Sequence, residues 1–165
     1  MWIVLYFCRK SKLHDTCTSR CIVTKMKFTI HADGGARGNP GPAGAGAMIR
    51  DELGNSVASV SEYLGIRTNN YAEYEAVIRA LEKVQELAQG KLAETAVMVK
   101  MDSELVVKQM QGVYKIKHPD MKAQAARLKE LAAPFGVISF AHVPRAQNSD
   151  ADALANEAMD RGLSR

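Results

Sequence analysis

From Lys27 onward the chain sorts itself by period. In "KFTIHAD" the apolar Phe28, Ile30 and Ala32 share one face at period two, which predicts a strand ending at Asp33. "AGAGAMIRD" and "SVASVSEYLG" predict two more strands, joined by the turn residues "DELGN". The small side chains of the second strand predict close approach by a backbone or a ligand. The period then changes. In "NNYAEYEAVIRALEKVQELAQG", Tyr74, Val77, Ile78, Leu81, Val84, Leu87 and Ala88 form one stripe of a helix that Gly90 stops. "TAVMVKMD" predicts a fourth strand ending at Asp102, and "SELVVKQMQG" a short helix. "PDMKAQAARLKELAAPFG" predicts a helix opened by Pro119 and closed at Pro134, Phe135 and Gly136. "VISFAHV" is a fifth strand and "SDADALANEAMDRG" a last helix. Three strands, a helix, a strand, two helices, a strand and a helix define an α/β fold.

Composition narrows this picture only a little. A chain of 165 residues, 47% hydrophobic and 24% charged, is one soluble domain with a substantial core. A net charge of +4 accommodates a polyanionic partner, and an aromatic content of 6% leaves few platforms for stacking single-stranded bases. Cys8, Cys17 and Cys21 all precede the regular pattern, and their odd number argues against a disulfide framework. With His14 nearby, their spacing still matches no common zinc pattern. The opening "MWIVLYFCRKSK" is too short to span a bilayer, and its basic residues follow the apolar run, unlike those of a signal peptide. Residues 1–25 therefore read as an extension of unassigned role before a domain over 26–165, and the expected location is the cytoplasm, with no membrane partner.

Four acids fall at element edges: Asp33, Glu73, Asp102 and Asp152. Each has a structural alternative. Asp33 could shape a turn before Gly34, Asn70-x-x-Glu73 and Ser149-x-x-Asp152 resemble capping boxes, and Asp102 could cap the helix that follows it. Together they point elsewhere, because ligands of open α/β sheets collect outside the carboxyl ends of strands. Carboxylates about 4 Å apart repel by about 4 kcal/mol per pair at an effective dielectric near 20, so a cluster needs protons or cations. Oxygen-only ligands suit Mg²⁺ or Mn²⁺, and two such ions about 3.5–4 Å apart activate water and stabilise a leaving oxygen. The glycine-rich run after Asp33 lacks the G-x-G-x-x-G spacing of a dinucleotide loop and the lysine of a phosphate loop. A strand follows it, so it reads as a long hairpin with a carboxylate at its base.

The segments "DGGARGNPG", "TNNYAEYEA", "MDSELVV" and "NSDADALANEA" occur in that order. On these four motifs, the chain over roughly residues 26–162 resembles a type 1 ribonuclease H domain. The resemblance implies an RNase H-like fold: a mixed five-stranded sheet, with strands one to three antiparallel, flanked by about four helices. It implies two-metal hydrolysis of the RNA strand of an RNA·DNA hybrid, leaving 5′-phosphate and 3′-hydroxyl ends. Asp33, Glu73, Asp102 and Asp152 would be the catalytic and metal-binding acids, with Glu73 selected over Glu75 and Asp152 over Asp150. Two Mg²⁺ ions are implied, Mn²⁺ being a substitute, and the chain would act as a monomer. Gly34 would admit the hybrid backbone, while Asn39, Thr68, Asn69 and Asn70 would touch nucleic acid through sugar and phosphate.

The sequence departs from the family in two places. Many members carry a loop histidine before the last acid. Here "HVPRAQNSDAD" is short, His142 belongs to strand five, and Arg145 either supplies a cation near the scissile phosphate or is a solvated turn residue. Many members also have a basic, aromatic protrusion, for which "GVYKIKHPDMK" has no room. Lys115, Lys117, His118 and Lys122 form a smaller basic cluster, which predicts weaker, salt-sensitive hybrid binding. Two alternatives stand beside the nuclease: a hybrid-binding module without catalysis, and a related nuclease cutting another duplex. The complete acid set opposes the first, and the T-N-N-x-x-E run the second.

Overall fold

In the computed structural model, residues 26–164 are described; the amino-terminal extension and its three cysteines lie outside them. The alternating first half folds as a meander of β1 (Met26–Ala36), β2 (Gly41–Arg50) and β3 (Ser56–Arg67). After the switch of period come α1 (Asn69–Leu87), β4 (Thr95–Met101), α2 (Glu104–Met110), α3 (Pro119–Ala132), β5 (Val137–His142) and α4 (Ser149–Leu163). The sheet order is β3-β2-β1-β4-β5, antiparallel through β1 and parallel from β1 to β5. No helix among the described residues is long and apolar enough to cross a membrane.

Odd and even residues of β1 serve opposite faces. Ile30 and Ala32 join the main core with α1 and α3, where Tyr74, Ile78, Leu81, Val97, Val99 and Leu128 are shut off from solvent. The predicted stripe of α1 is buried as expected, with Leu87 partly buried at its end. Behind α1, the buried Glu75 accepts from Gln124 Nε2 at 2.9 Å and Arg127 Nη1 at 3.0 Å, which ties α1 to α3. On the other face α4 crosses β2 so closely that a Cβ on Gly46 would lie 2.3 Å from both Ala151 O and Ala155 N. The close approach predicted for the second strand is therefore that of a helix.

Two local expectations are corrected. β1 continues three residues past Asp33, because Gly34, Gly35 and Ala36 still pair with Ala45, Gly44 and Ala43 of β2. Asp33 thus lies within the sheet, whereas β4 stops just before Asp102. The caps also differ. Thr68, not Asn70, caps α1 by accepting from Tyr71 N at 3.3 Å, and Ser103, not Asp102, caps α2. Asn148 precedes α4 without a side-chain cap bond. The acids are consequently free of capping duty.

Candidate active site

Parallel pairing brings the first two acids together. β1 and β4 run in register with His31 opposite Lys100, and two residues further the same register sets Asp33 beside Asp102. Neighbouring strands lie about 4.8 Å apart, within strong Coulomb range. Glu73 arrives from α1, whose backbone crosses Gly34: a Cβ there would lie 2.1 Å from Ala72 C and 2.2 Å from Glu73 N. Asp152 arrives from α4, seated on Gly46, which is the β2 partner of Asp33. Two glycines next to Asp33 therefore admit the helices that carry the other two acids.

The electrostatics report the convergence. Burial first, then Asp102 and Asp152, push the Asp33 carboxyl up to about 6, against Arg145 and the Gly34 amide. Burial also pushes Glu73 up to about 7; the Ser103 hydroxyl opposes this, while Asp33 and Asp102 add to it. Neutral donors fix the orientations. Ser103 Oγ donates to Glu73 Oε2 at 2.5 Å and Asn69 Nδ2 to Glu73 Oε1 at 3.0 Å. Asn148 Nδ2 donates to Asp102 Oδ1 at 3.0 Å, and Asn156 Nδ2 to Asp152 Oδ2 at 3.0 Å. Among the described residues the one cation in direct contact is Arg145, which donates to Asp152 Oδ1 at 2.5 Å.

Ser103, Asn148 and Asn156 were not singled out from the sequence. All three stand inside the quoted motifs, but nothing local says that they hold an acid. Replacing Ser103 by Ala should raise the Glu73 pKa above about 7 in metal-free protein, since the lost hydroxyl favours the charged form. An NMR titration of the Glu73 side-chain carbon reads this, and an unchanged midpoint would show the bond to be idle. The lost cap should also cost about 1 kcal/mol.

The donor set fits a hard divalent ion. It consists of carboxylate oxygens, and their neighbours raise the proton affinity of Asp33 and Glu73, which a cation would relieve. Among the described residues no three His, Cys, Asp or Glu side chains form a ready-made cage. Mg²⁺ does not require one, since it is commonly held by one or two carboxylates with water and phosphate completing the shell.

The other expected contacts have mixed placements. Gly34 is occupied by the backbone of α1, so the close approach it serves is the helix's own. Asn39 Oδ1 accepts from Asn69 N at 3.2 Å, joining the hairpin to the start of α1. Asn70 is exposed and, with Arg67, Thr68, Tyr71 and His118, lines a cleft of about 200 Å³. The Arg67 guanidinium stands 5.2 Å over the Tyr71 ring. Lys115, Lys117, His118 and Lys122 are exposed, and His142 is the exposed last residue of β5. Arg145 lies in a 3₁₀ turn, its side chain 76% exposed yet engaged with Asp152.

The sheet order and the helices on both faces define an RNase H-like fold. A family described as "Reverse transcriptase-like" matches residues 31–158. A bifunctional protein of Mycobacterium tuberculosis is 46% identical over 136 residues, covering 82% of this chain and 36% of that protein. The ribonuclease HI of Halobacterium salinarum is 43% identical over 133 residues, covering 79% of this chain and 64% of that one. A ribonuclease H1 isolated from compost, solved in complex with RNA/DNA hybrid, is 50% identical with a TM-score of 0.78, covering 82% of this chain and 99% of that one. The chain thus spans little more than a third of the mycobacterial relative. It belongs to the type 1 ribonuclease H family, whose members are metal-dependent.

Proposed function

We propose that the chain is an endoribonuclease that hydrolyses the RNA strand of RNA·DNA hybrids, leaving 5′-phosphate and 3′-hydroxyl ends. The observation that carries this is the convergence of carboxylates from β1, α1, the end of β4 and α4, with Asp33 and Glu73 raised by burial and by their neighbours. The likeness to a ribonuclease H1 that binds RNA/DNA hybrid supports the substrate class.

In this reading Asp33 and Asp102 would bind metal, Glu73 would serve one ion and orient the attacking water, and Asp152 would serve the other. Two Mg²⁺ ions, replaceable by Mn²⁺, would lower the pKa of the water and stabilise the leaving 3′-oxygen. Asn69 and Ser103 hold the two oxygens of Glu73 so that it meets the water in one orientation. With a carboxyl near 7, Glu73 accepts a hydrogen bond from that water when ionised and donates one when protonated. Arg145 balances Asp152 in the free protein, and its exposure leaves it able to meet the scissile phosphate. Thr68 and Asn70 meet sugar and phosphate along the cleft at the start of α1, with Asn39 and Asn69 bracing its rim. Gly34 shapes the site through α1. All four acids come from one chain, so a monomer suffices.

The lysines at 115, 117 and 122 add an electrostatic share to binding, so the hybrid KM should rise as salt goes from 50 to 200 mM. A KM independent of salt would remove them from the interface.

The test is cleavage of end-labelled RNA·DNA hybrid, duplex RNA and duplex DNA in Mg²⁺, Mn²⁺ or EDTA, beside Asp102→Asn. Metal-dependent cutting of the hybrid that disappears in the variant is the expected result. Tight hybrid binding without cutting in either metal would replace the enzyme by a binding module. Cutting of duplex DNA instead would replace it by another nuclease.

A further inference from the structure

We infer that Asn148 is a positioning residue of the reaction, a brace through which Asp102 is oriented and three of the four acids are kept in mutual register. The inference rests on the nuclease reading above. Asn148 is 1% exposed at the entry to α4. Its amide nitrogen has two hydrogens and places both: one on Ala32 O at 3.0 Å, next to Asp33 in β1, and one on Asp102 Oδ1 at 3.0 Å. Its backbone carbonyl accepts from Ala151 N and Asp152 N, each at 3.1 Å. One residue therefore touches the strand of Asp33, the side chain of Asp102 and the backbone of Asp152. The Ser103 and Asn69 contacts to Glu73 are each confined to one acid.

The chemistry of the amide suits the task. A guanidinium at this place would neutralise Asp102 and compete with a cation for it. An amide supplies direction without setting a cation beside Asp102, so the side chain loses rotational freedom without being paired to a competing charge. The second half of the side chain argues that packing alone did not set the residue: Asn148 Oδ1 is buried with no partner. An apolar side chain of similar size would fill the space without leaving an acceptor unpaired. Partners that orient a metal-binding group typically change metal affinity or activity 10–100-fold when lost, and misplacement of reacting groups by about 1 Å has a comparable effect.

The test uses the full chain as Asn148→Asp and Asn148→Ser. Asn148→Asp keeps the shape but sets an oxygen against both Ala32 O and Asp102 Oδ1; Asn148→Ser is a shorter, neutral fallback if the first variant does not fold. The expected result, in protein shown folded by circular dichroism, is a kcat on hybrid lowered about 10–100-fold with KM changed less than about 3-fold. Calorimetric Mg²⁺ affinity of the hybrid-free protein should fall about 10-fold. A role in packing alone would lower Tm and leave kcat and Mg²⁺ affinity at wild-type values, which overturns the inference. A measurement on unmutated protein stands beside these: the Asn148 side-chain NH₂ resonances should exchange slowly and shift when Mg²⁺ is added. Resonances that ignore Mg²⁺ while the Asp102 amide responds would also overturn it. If wild-type protein itself fails to cut hybrid, the nuclease reading falls, and calorimetry and NMR still decide whether Asn148 orients Asp102.

Discussion

Replacing Asp33 by Asn is expected to abolish hybrid cleavage and, in the same protein, to raise stability in EDTA at pH 8. Losing several kcal/mol of transition-state stabilisation lowers kcat by about 10³-fold. The gain in stability follows from the titration. The Asp33 carboxyl sits near 6 in the folded protein against 3.8 for the free group. Between those values the folded state binds more protons than the unfolded one, so stability falls as pH rises through the window and stays reduced above it. Two units correspond to about 3 kcal/mol at most; shared coupling with Asp102 and Asp152 makes about 2 kcal/mol the realistic gain. For a domain of this size that is a Tm rise of about 4–8 °C at pH 8, vanishing near pH 3.5. Scanning calorimetry in EDTA at both pH values checks it. An unchanged or lower Tm at pH 8 would mean that the carboxylates do not strain one another. Added Mg²⁺ should narrow the gap by stabilising the wild type preferentially.

The second large effect concerns a residue without a side chain. Gly34→Ala would set a methyl 2.1 Å from Ala72 C and 2.2 Å from Glu73 N, distances that only movement of α1 can relieve. That helix is held from behind by Glu75, Gln124 and Arg127, so it cannot simply slide away. Overpacking ordinarily costs about 1–3 kcal/mol, and a clash with helix backbone belongs at or above the upper end. Urea unfolding should show a loss of at least about 3 kcal/mol, with Tm lower by about 6–12 °C. Activity per folded molecule should fall as well, since the displaced backbone includes that of Glu73. Gly35→Ala is the internal control: its methyl would meet the Met159 side chain, Cε at 3.1 Å and Sδ at 3.8 Å, and a flexible side-chain end can give way. Equal losses in the two variants would show that contact with α1 is not the reason for glycine at 34.

The contrast between these neighbours marks where legibility ends. Period two in "KFTIHAD" and the stripe from Tyr74 to Ala88 are local properties, and both segments form the elements they predict. Asp102 and Asp152 could be placed at element edges for the same reason, whereas Asp33 lies inside β1 and Glu73 beyond the first turn of α1. That Gly34 meets α1 while Gly35 meets Met159 depends on which face each helix covers, and no local period encodes that. The strand pairing that puts Asp33 beside Asp102 joins segments far apart in the chain. Asn148 reaches Asp102 across 46 positions. The caps were misread by a residue or two because Thr68, Asn69 and Asn70 are all competent candidates. Only the assembled hairpin, with Asn39 on Asn69 N, shows which one ends the strand's run and starts the helix.

The acids follow the order 33, 73, 102 and 152, on β1, on α1, just past β4 and on α4. During synthesis three of them leave the ribosome well before the fourth. Asn148, which registers three of the set, emerges only just ahead of it. If the four acids act together as proposed, a growing or prematurely ended chain would be inert toward any hybrid nearby. On the proposed reading, cleavage would await the closing of α4 on β2, which would make catalytic competence a report on finished folding.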